Sequence, residues 1–225
     1  MVSKGSRRLL AELKVASLLI YPSRPQSAAD REARDVILTG IKQAKPRHLQ
    51  RVAERLADLP EDHSVRQLVP SNAVLVPVPR STPLRDGALW PTLDIAKALV
   101  SAGVGALVLP LLVRDEPVRR SAGARSLADR EPPLRHYETV SAVVSQLGLE
   151  DPTAHYVLVD DVVTTGSTLI ACASHLKSLA PEATIDAFAA ARAERTHPFA
   201  EAKEMFSPGV QTIYLTDDAG RPWRE

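Results

Sequence analysis

Between residues 30 and 44 the apolar positions Ala33, Val36, Ile37, Gly40, Ile41 and Ala44 fall on one helical face. Residues 47 to 59 repeat the pattern with Leu49, Val52, Ala53 and Leu56. The spacing predicts two amphipathic helices parted by Pro46, with Tyr21-Pro22-Ser23-Arg24-Pro25-Gln26-Ser27 as a loop before the first. Ala73-Val74-Leu75-Val76-Pro77-Val78-Pro79 reads instead as a buried strand, its prolines near the C-terminal end where they disturb the ladder least. Pro91 opens a helix through about Ser101; Ala106 to Leu112 and Ala183 to Ala190 read as further strands, and Gln211 to Leu215 as a last one. Residues 6 to 20 fit either a helix or a helix leading to a short strand at Ser17 to Tyr21, and the pattern does not choose between them. Strands separated by helices predict an α/β fold with a doubly wound, mainly parallel sheet of about five strands.

The densest chemistry lies in Tyr156-Val157-Leu158-Val159-Asp160-Asp161-Val162-Val163-Thr164-Thr165-Gly166-Ser167-Thr168-Leu169. Four apolar residues run into two acids and then into a hydroxyl-rich glycine turn, which reads as a strand, a phosphate-binding loop and a helix start. Successive backbone N–H groups of such a turn and of a helix N-terminus favour an anion, and Thr and Ser hydroxyls add donors. The carboxylates would repel a phosphate, so they must serve a neutral or cationic part of the same ligand. Vicinal sugar hydroxyls, with a divalent cation nearby, suit them. In an open parallel sheet this turn lies at the carboxyl end of a central strand, where ligands bind.

This segment resembles the phosphoribosyl pyrophosphate (PRPP) signature of the type I phosphoribosyltransferases. The resemblance implies that Asp160 and Asp161 hold ribose hydroxyls, while Val162, Val163, Thr164, Thr165, Gly166, Ser167 and Thr168 complete the PRPP site around the 5′-phosphate. The loop at Pro79, Arg80 and Ser81 takes the place where these enzymes hold pyrophosphate, with Arg80 as its basic side chain. Val113 to Val140, long and polar, carries Arg114, Arg119, Arg120, Arg125, Arg130 and Arg135. Loops of this length inside compact domains are usually functional or disordered. In the family a mobile loop here closes over pyrophosphate, and Arg120, Arg125 and Arg130 are the arginines expected to assist its departure.

Within the family the chain is most similar to the ComF-like, amidophosphoribosyltransferase-like branch, over roughly residues 34 to 192. Val76-Pro77-Val78-Pro79, the helix end at Ile41-Lys42, the arginine-rich segment and Leu158 to Gly166 recur in that order. Two departures stand out. Cys172 is the only cysteine, so the cysteine-rich zinc module common at the start of ComF-like proteins is missing, and Arg85 to Trp90 lacks the expected Arg-Gly-Phe-Asn pattern. Thr164 also occupies the place where 6-oxopurine salvage enzymes carry an acid, which disfavours hypoxanthine or guanine as acceptor. The likeness implies magnesium bound through PRPP and water, with no direct protein ligand, and suggests a homodimer. It also divides the chain into an N-terminal helical segment, 1–70, contributing to a hood or packing on the core, and a phosphoribosyltransferase core with a C-terminal hood segment, 71–225.

Composition narrows the setting. With 225 residues, 44% hydrophobic and 24% charged, the chain is that of a globular protein able to bury a full core. No apolar run approaches the roughly 18 residues of a membrane span, and Glu12 and Lys14 interrupt the apolar stretch a secretion signal requires, so a cytoplasmic location is expected. A single cysteine excludes an intramolecular disulfide. Cys172 shares a helical face with Leu169, Ala173 and Leu176 and reads as a buried, inert thiol. The net charge of +1 gives no global case for nucleic acid. The six histidines show no metal-ligand spacing; His136, with Tyr137, follows the arginine-rich segment and is expected at the surface, with contact to a ligand as the alternative, and Trp90 is expected to pack the start of the helix at Pro91. Arg192 and Arg195, after a strand, are within reach of a hood.

Two functions of different class follow. One is a magnesium-dependent phosphoribosyltransferase that transfers 5-phosphoribosyl from PRPP to a nucleobase or other small nitrogenous acceptor and releases pyrophosphate. The other is a non-catalytic protein that senses PRPP or a nucleotide with the same pocket and regulates a partner.

Overall fold

The computed structural model describes residues 9–119, 131–143, 154–194, 198–216 and 222–225. Its centre is a seven-stranded sheet in the order β3-β2-β6-β7-β1-β8-β9. The strands are β1 (Glu12–Pro22), β2 (Val74–Pro77), β3 (Leu107–Val108), β6 (His155–Val163), β7 (Thr184–Glu194), β8 (Phe206–Leu215) and β9 (Pro222–Arg224). From β3 to β1 all pairings are parallel; β8 and β9 add antiparallel strands at one edge. The expected α/β class and mainly parallel sheet are therefore present, with five parallel strands and an antiparallel extension.

The N-terminal segment differs from expectation. Its first element is not a helix but the eleven-residue β1, paired with β7 on one side and β8 on the other. Val15, Ala16 and Leu18 are each at most 2% exposed, so the strand is covered on both faces and shows no polar alternation. Two helices follow as predicted, with one irregularity. α1 (Ala28–Asp35) starts at a capping box, in which the Ser27 hydroxyl accepts from Asp30 N while Asp30 accepts from Ser27 N. The other Asp30 oxygen accepts from Phe199 N, tying the C-terminal region to this helix start. The helix then widens into a π-helical turn at Val36–Ile41, closed by Lys42 N donating to Ile37 O at 2.9 Å. α2 (Pro46–Ala57) begins with proline at its first position and buries Leu49, Val52, Ala53 and Leu56. A short α3 (Ser64–Leu68) leads to β2.

α4 (Pro91–Ser101) matches its predicted bounds. The strand expected at Ala106 to Leu112 is instead split: β3 ends at Val108, and β4 (Leu112–Arg114) pairs with β5 (Val140–Ala142) in a separate two-stranded sheet. Pro110 separates them, since it brings no N–H to a ladder and redirects the chain. α5 (Pro133–Glu138) precedes β5, and α6 (Ser167–Leu179) follows β6. The strand expected at Ala183 to Ala190 extends to Glu194, and that at Gln211 to Leu215 begins earlier, at Phe206.

The two faces of the sheet carry separate cores. Leu18, Ile37, Leu56, Leu75, Leu99, Val157 and Phe188 pack together on the face covered by α1, α2 and α4. Leu13, Val76, Tyr156, Leu158, Leu169, Leu176 and Ile213 fill the face under α6. The sheet is thus fixed from both sides, which sets the carboxyl ends of β2, β6, β7 and β1 as a rigid floor. Truncating Leu18 or Leu158 to alanine is worth about 2–5 kcal/mol of stability at such sites.

Candidate active site

After His155, β6 is apolar and fully buried from Tyr156 through Val159, and then changes character at Asp160. The two carboxylates emerge at its carboxyl end, each half-buried. Asp161 N donates to Asp160 Oδ1 at 2.8 Å, and Lys42 Nζ lies 3.4 Å from Asp161 Oδ1. Burial and the neighbouring Asp161 charge push the Asp160 carboxyl up to about 7; Asp161 N–H and Lys42 oppose that rise without cancelling it. Asp160 is therefore a carboxylate short of compensation, a state that hydroxyl donors or a cation would relieve.

The chain turns at Thr164 to Gly166 and starts α6. Gly166 is the N-cap residue, at φ +88°, and no side chain caps the helix. A Cβ at this position would collide with the Ile213 side chain, so glycine is needed for both conformation and space. The uncapped helix leaves free N–H groups facing the turn, beside the hydroxyls of Thr165 and Ser167, which lie 3.1 Å apart, and that of Thr168. Two carboxylates and an open helix N-terminus thus adjoin one another in a cleft of about 570 Å³.

The loop after β2 forms one wall of this cleft. Val78 O accepts from Trp90 Nε1 at 3.0 Å and Thr92 Oγ1 at 2.7 Å, which ties the loop to the start of α4. Trp90 does pack the helix start as expected, and it also holds this loop, a role its position next to Pro91 gave no sign of. Arg80 lines the cleft, with its guanidinium donating to Leu89 O at 2.6 Å. On the far side, Tyr21 near the end of β1, Ser23 just after it, Arg34 of α1, and Lys42 after the π-helical turn line the same cleft. Arg34 stacks over the Tyr21 ring at 5.5 Å.

Of the predicted site residues, Asp160 to Thr168 and Pro79 to Ser81 all meet in this one cleft. Arg120, Arg125 and Arg130 lie outside the described residues, as does Arg195. Arg192 does not reach the cleft; it is 9% exposed and donates to Ser207 and Ser17 against the sheet. His136 is not at the surface: it is 3% exposed, lines the cleft, and holds Nδ1 3.3 Å from Thr168 Oγ1. Tyr137 stacks on His175 at 3.9 Å. Cys172 is fully buried with its thiol pushed up to about 12 by desolvation, so it is inert as expected. Among the cationic and histidine residues of the cleft, Arg34 carried no signal in the sequence; Lys42 stood out only as part of a matching helix end, Arg114 only as one of six arginines, and His136 only as a residue following that segment.

A second hollow of about 600 Å³ lies between α2 and α4, with Glu54 and Asp94 as its only charged lining groups. It offers no cation to an anionic ligand. The first cleft, by contrast, has Arg34, Lys42, Arg80, Arg114 and Arg119 against Asp160 and Asp161, an excess of positive charge suited to a polyanion.

A carboxylate pair, an open helix N-terminus and a cationic rim meet at the carboxyl ends of parallel strands of an α/β protein, the place where open parallel sheets bind ligands. Residues 130–219 match the family model of the phosphoribosyl transferase domain. The matched span contains β6, the turn, α6 and β7, and it supports the type I phosphoribosyltransferase family. No curated protein matched the chain. Among the described residues no helix is long and apolar enough to cross a membrane.

Proposed function

We propose that the protein is a magnesium-dependent phosphoribosyltransferase that transfers the 5-phosphoribosyl group of PRPP to a nucleobase or another small nitrogenous acceptor, with release of pyrophosphate. The observation that carries this reading is the adjacency of the Asp160–Asp161 pair to the uncapped N-terminus of α6. A ribose 5-phosphate spans those two features, its hydroxyls on the carboxylates and its phosphate on the turn. Displacement at C1 then develops positive charge on the sugar, which the carboxylates favour, and negative charge on the leaving pyrophosphate, which the loop after β2 and Arg80 favour. Arg120, Arg125 and Arg130 remain proposed to assist the departure of pyrophosphate.

The donor set suits magnesium as a partner of the substrate. Asp160 and Asp161 offer hard carboxylate oxygens, and Lys42 already occupies one side of Asp161. Among the described residues no group of three His, Cys, Asp or Glu converges as a metal site. Magnesium would be held through PRPP and water beside the two carboxylates, as the resemblance implies. When bound it would neutralise phosphate charge.

The similarities of Val76 to Pro79 and Leu158 to Gly166 favour a ComF-like enzyme. Thr164 supports the second reading, a PRPP or nucleotide sensor, because no carboxylate stands there to take a proton from an acceptor. A substrate that is already nucleophilic needs no such base. Calorimetric titration of PRPP with magnesium into wild type and an Asp160→Asn/Asp161→Asn variant tests the pocket. Binding near micromolar, about −8 kcal/mol, lost in the variant is the expected result. No binding to folded wild type would sink both readings. Pyrophosphate release across a panel of acceptors then separates enzyme from sensor.

A further inference from the structure

Arg114 at the end of β4 is an unusual buried cation. It is 5% exposed, and among the described residues it makes no ion pair with a carboxylate. Its hydrogen bonds go to neutral acceptors in different segments: Nε to Arg80 O at 3.0 Å, and Nη1 to Thr139 Oγ1 at 2.6 Å and His136 O at 3.3 Å. Nη2 is buried with no partner. A buried charge normally carries a counter-charge, because removing it from water costs several kcal/mol. Here the cation lies instead in the wall of a cleft built for anions.

His136, whose carbonyl Arg114 holds, is the next link. Its Nδ1 meets Thr168 Oγ1 in the turn after β6, and its Nε2 is buried without a partner. Burial, and then the Arg114 charge, lower its pKa to about 4, so the ring is neutral at physiological pH. A neutral ring that donates from Nδ1 leaves the Thr168 hydroxyl free to donate to a phosphate oxygen. A further contact ties the segment after β4 to the loop after β2, since Val118 N donates to Ser81 O at 2.8 Å.

We propose that Arg114 and His136 are positioning residues that couple the loop after β2 to the turn after β6, through Arg80 O on one side and Thr168 Oγ1 on the other. Occupation of either phosphate site then orders the other before PRPP is cleaved. The inference rests on the proposed function, which assigns pyrophosphate to the first site and the sugar 5-phosphate to the second. Neither residue reacts, and each acts through the loop it holds.

The test measures ribose 5-phosphate affinity with and without saturating magnesium pyrophosphate. The change between the two is a coupling factor that must be the same when the ligands are exchanged. In wild type the expected factor is at least about fivefold. It falls towards one in Arg114→Met and in His136→Leu, while His136→Asn, which keeps a polar atom near the position of Nδ1, retains most of it. A merely structural role would lower thermal stability and both single affinities without changing the factor. Folded variants with the wild-type factor would overturn the proposal, and so would a wild-type factor of one with both ligands binding. The second result leaves the PRPP pocket standing; failure of wild type to bind either ligand removes both. Should Arg114→Met fail to fold, the paired histidine variants decide alone.

Discussion

Lys42 Nζ stands 3.4 Å from Asp161 Oδ1, although the two residues are 119 positions apart in the chain. The π-helical turn before Lys42 makes the approach possible, because an i to i+5 closure rotates the next residue away from where a regular helix would place it. Lys42 thereby joins the N-terminal helices to the acidic pair of β6. Its charge also opposes the upward shift of Asp160.

Lys42→Met should therefore raise the Asp160 carboxyl further and weaken PRPP binding at neutral pH, with partial recovery in more alkaline buffer. A calorimetric pH series on wild type and variant checks this. An unchanged midpoint would mean that Lys42 is only solvated beside the pair.

The same group gives stability a defined pH dependence. Asp160 ionises near 3.8 in an unfolded chain and at about 7 in the fold, so the folded state binds the proton more tightly between those values. Its contribution is most favourable below about pH 4 and is lost as pH rises towards 7, with a slope of at most about 1.4 kcal/mol per pH unit. Asp160→Asn removes that slope. Urea unfolding at pH 5 and pH 8 should show the variant gaining on wild type at the higher pH. PRPP affinity runs the other way, rising through about pH 7 as the carboxylate becomes free to accept ribose hydroxyls.

The parts of this site legible in sequence are those where local chemistry and local structure coincide. Val157 to Thr168 places strand, acids, turn and helix start in one continuous run, and Gly166 takes the left-handed conformation such a turn requires. β1 was not legible for a physical reason. Val15 to Leu19 is a short run covered on both faces and apolar but for the buried Ser17, so it shows neither the alternation of a half-exposed strand nor a helical face. Only its pairing with β7 and β8 makes it a strand. Arg114 and His136 were hidden differently. They come from the two ends of an arginine-rich segment, and nothing in that charge pattern distinguishes the buried Arg114 from Arg135, which pairs with Glu116 at 3.0 Å in solvent.

Trp90 and Thr92, of which only Thr92 lines the cleft, offer a way to loosen one loop from the side of α4. Both donate to Val78 O, so removing one donor leaves the carbonyl satisfied and costs only about 0.5–1.5 kcal/mol. Trp90→Phe combined with Thr92→Val removes both. The double variant should remain folded, bind ribose 5-phosphate normally and bind magnesium pyrophosphate several-fold more weakly. Equal weakening of both ligands, measured by titration, would instead place the effect on the sheet as a whole.

Gly166 is the position where the least chemical change should have the largest effect on function. Alanine there meets two obstacles: a φ of +88°, and an Ile213 side chain occupying the space its Cβ would enter. The conformational cost alone is about 1–3 kcal/mol. The contact is relieved by a shift of the buried Ile213 side chain or by the turn moving off it, and the second takes the N–H groups of α6 out of line with the phosphate. Gly166→Ala should thus lose most PRPP affinity while unfolding only a few degrees earlier. Adding Ile213→Val removes the Cδ1 atom nearest the new Cβ but leaves the backbone conformation unchanged. The double variant should therefore recover part of the binding and not all of it. Recovery to wild-type affinity would show that space alone demands glycine, and no recovery would show that conformation alone does. A double-mutant cycle on PRPP affinity and on thermal unfolding separates the two contributions.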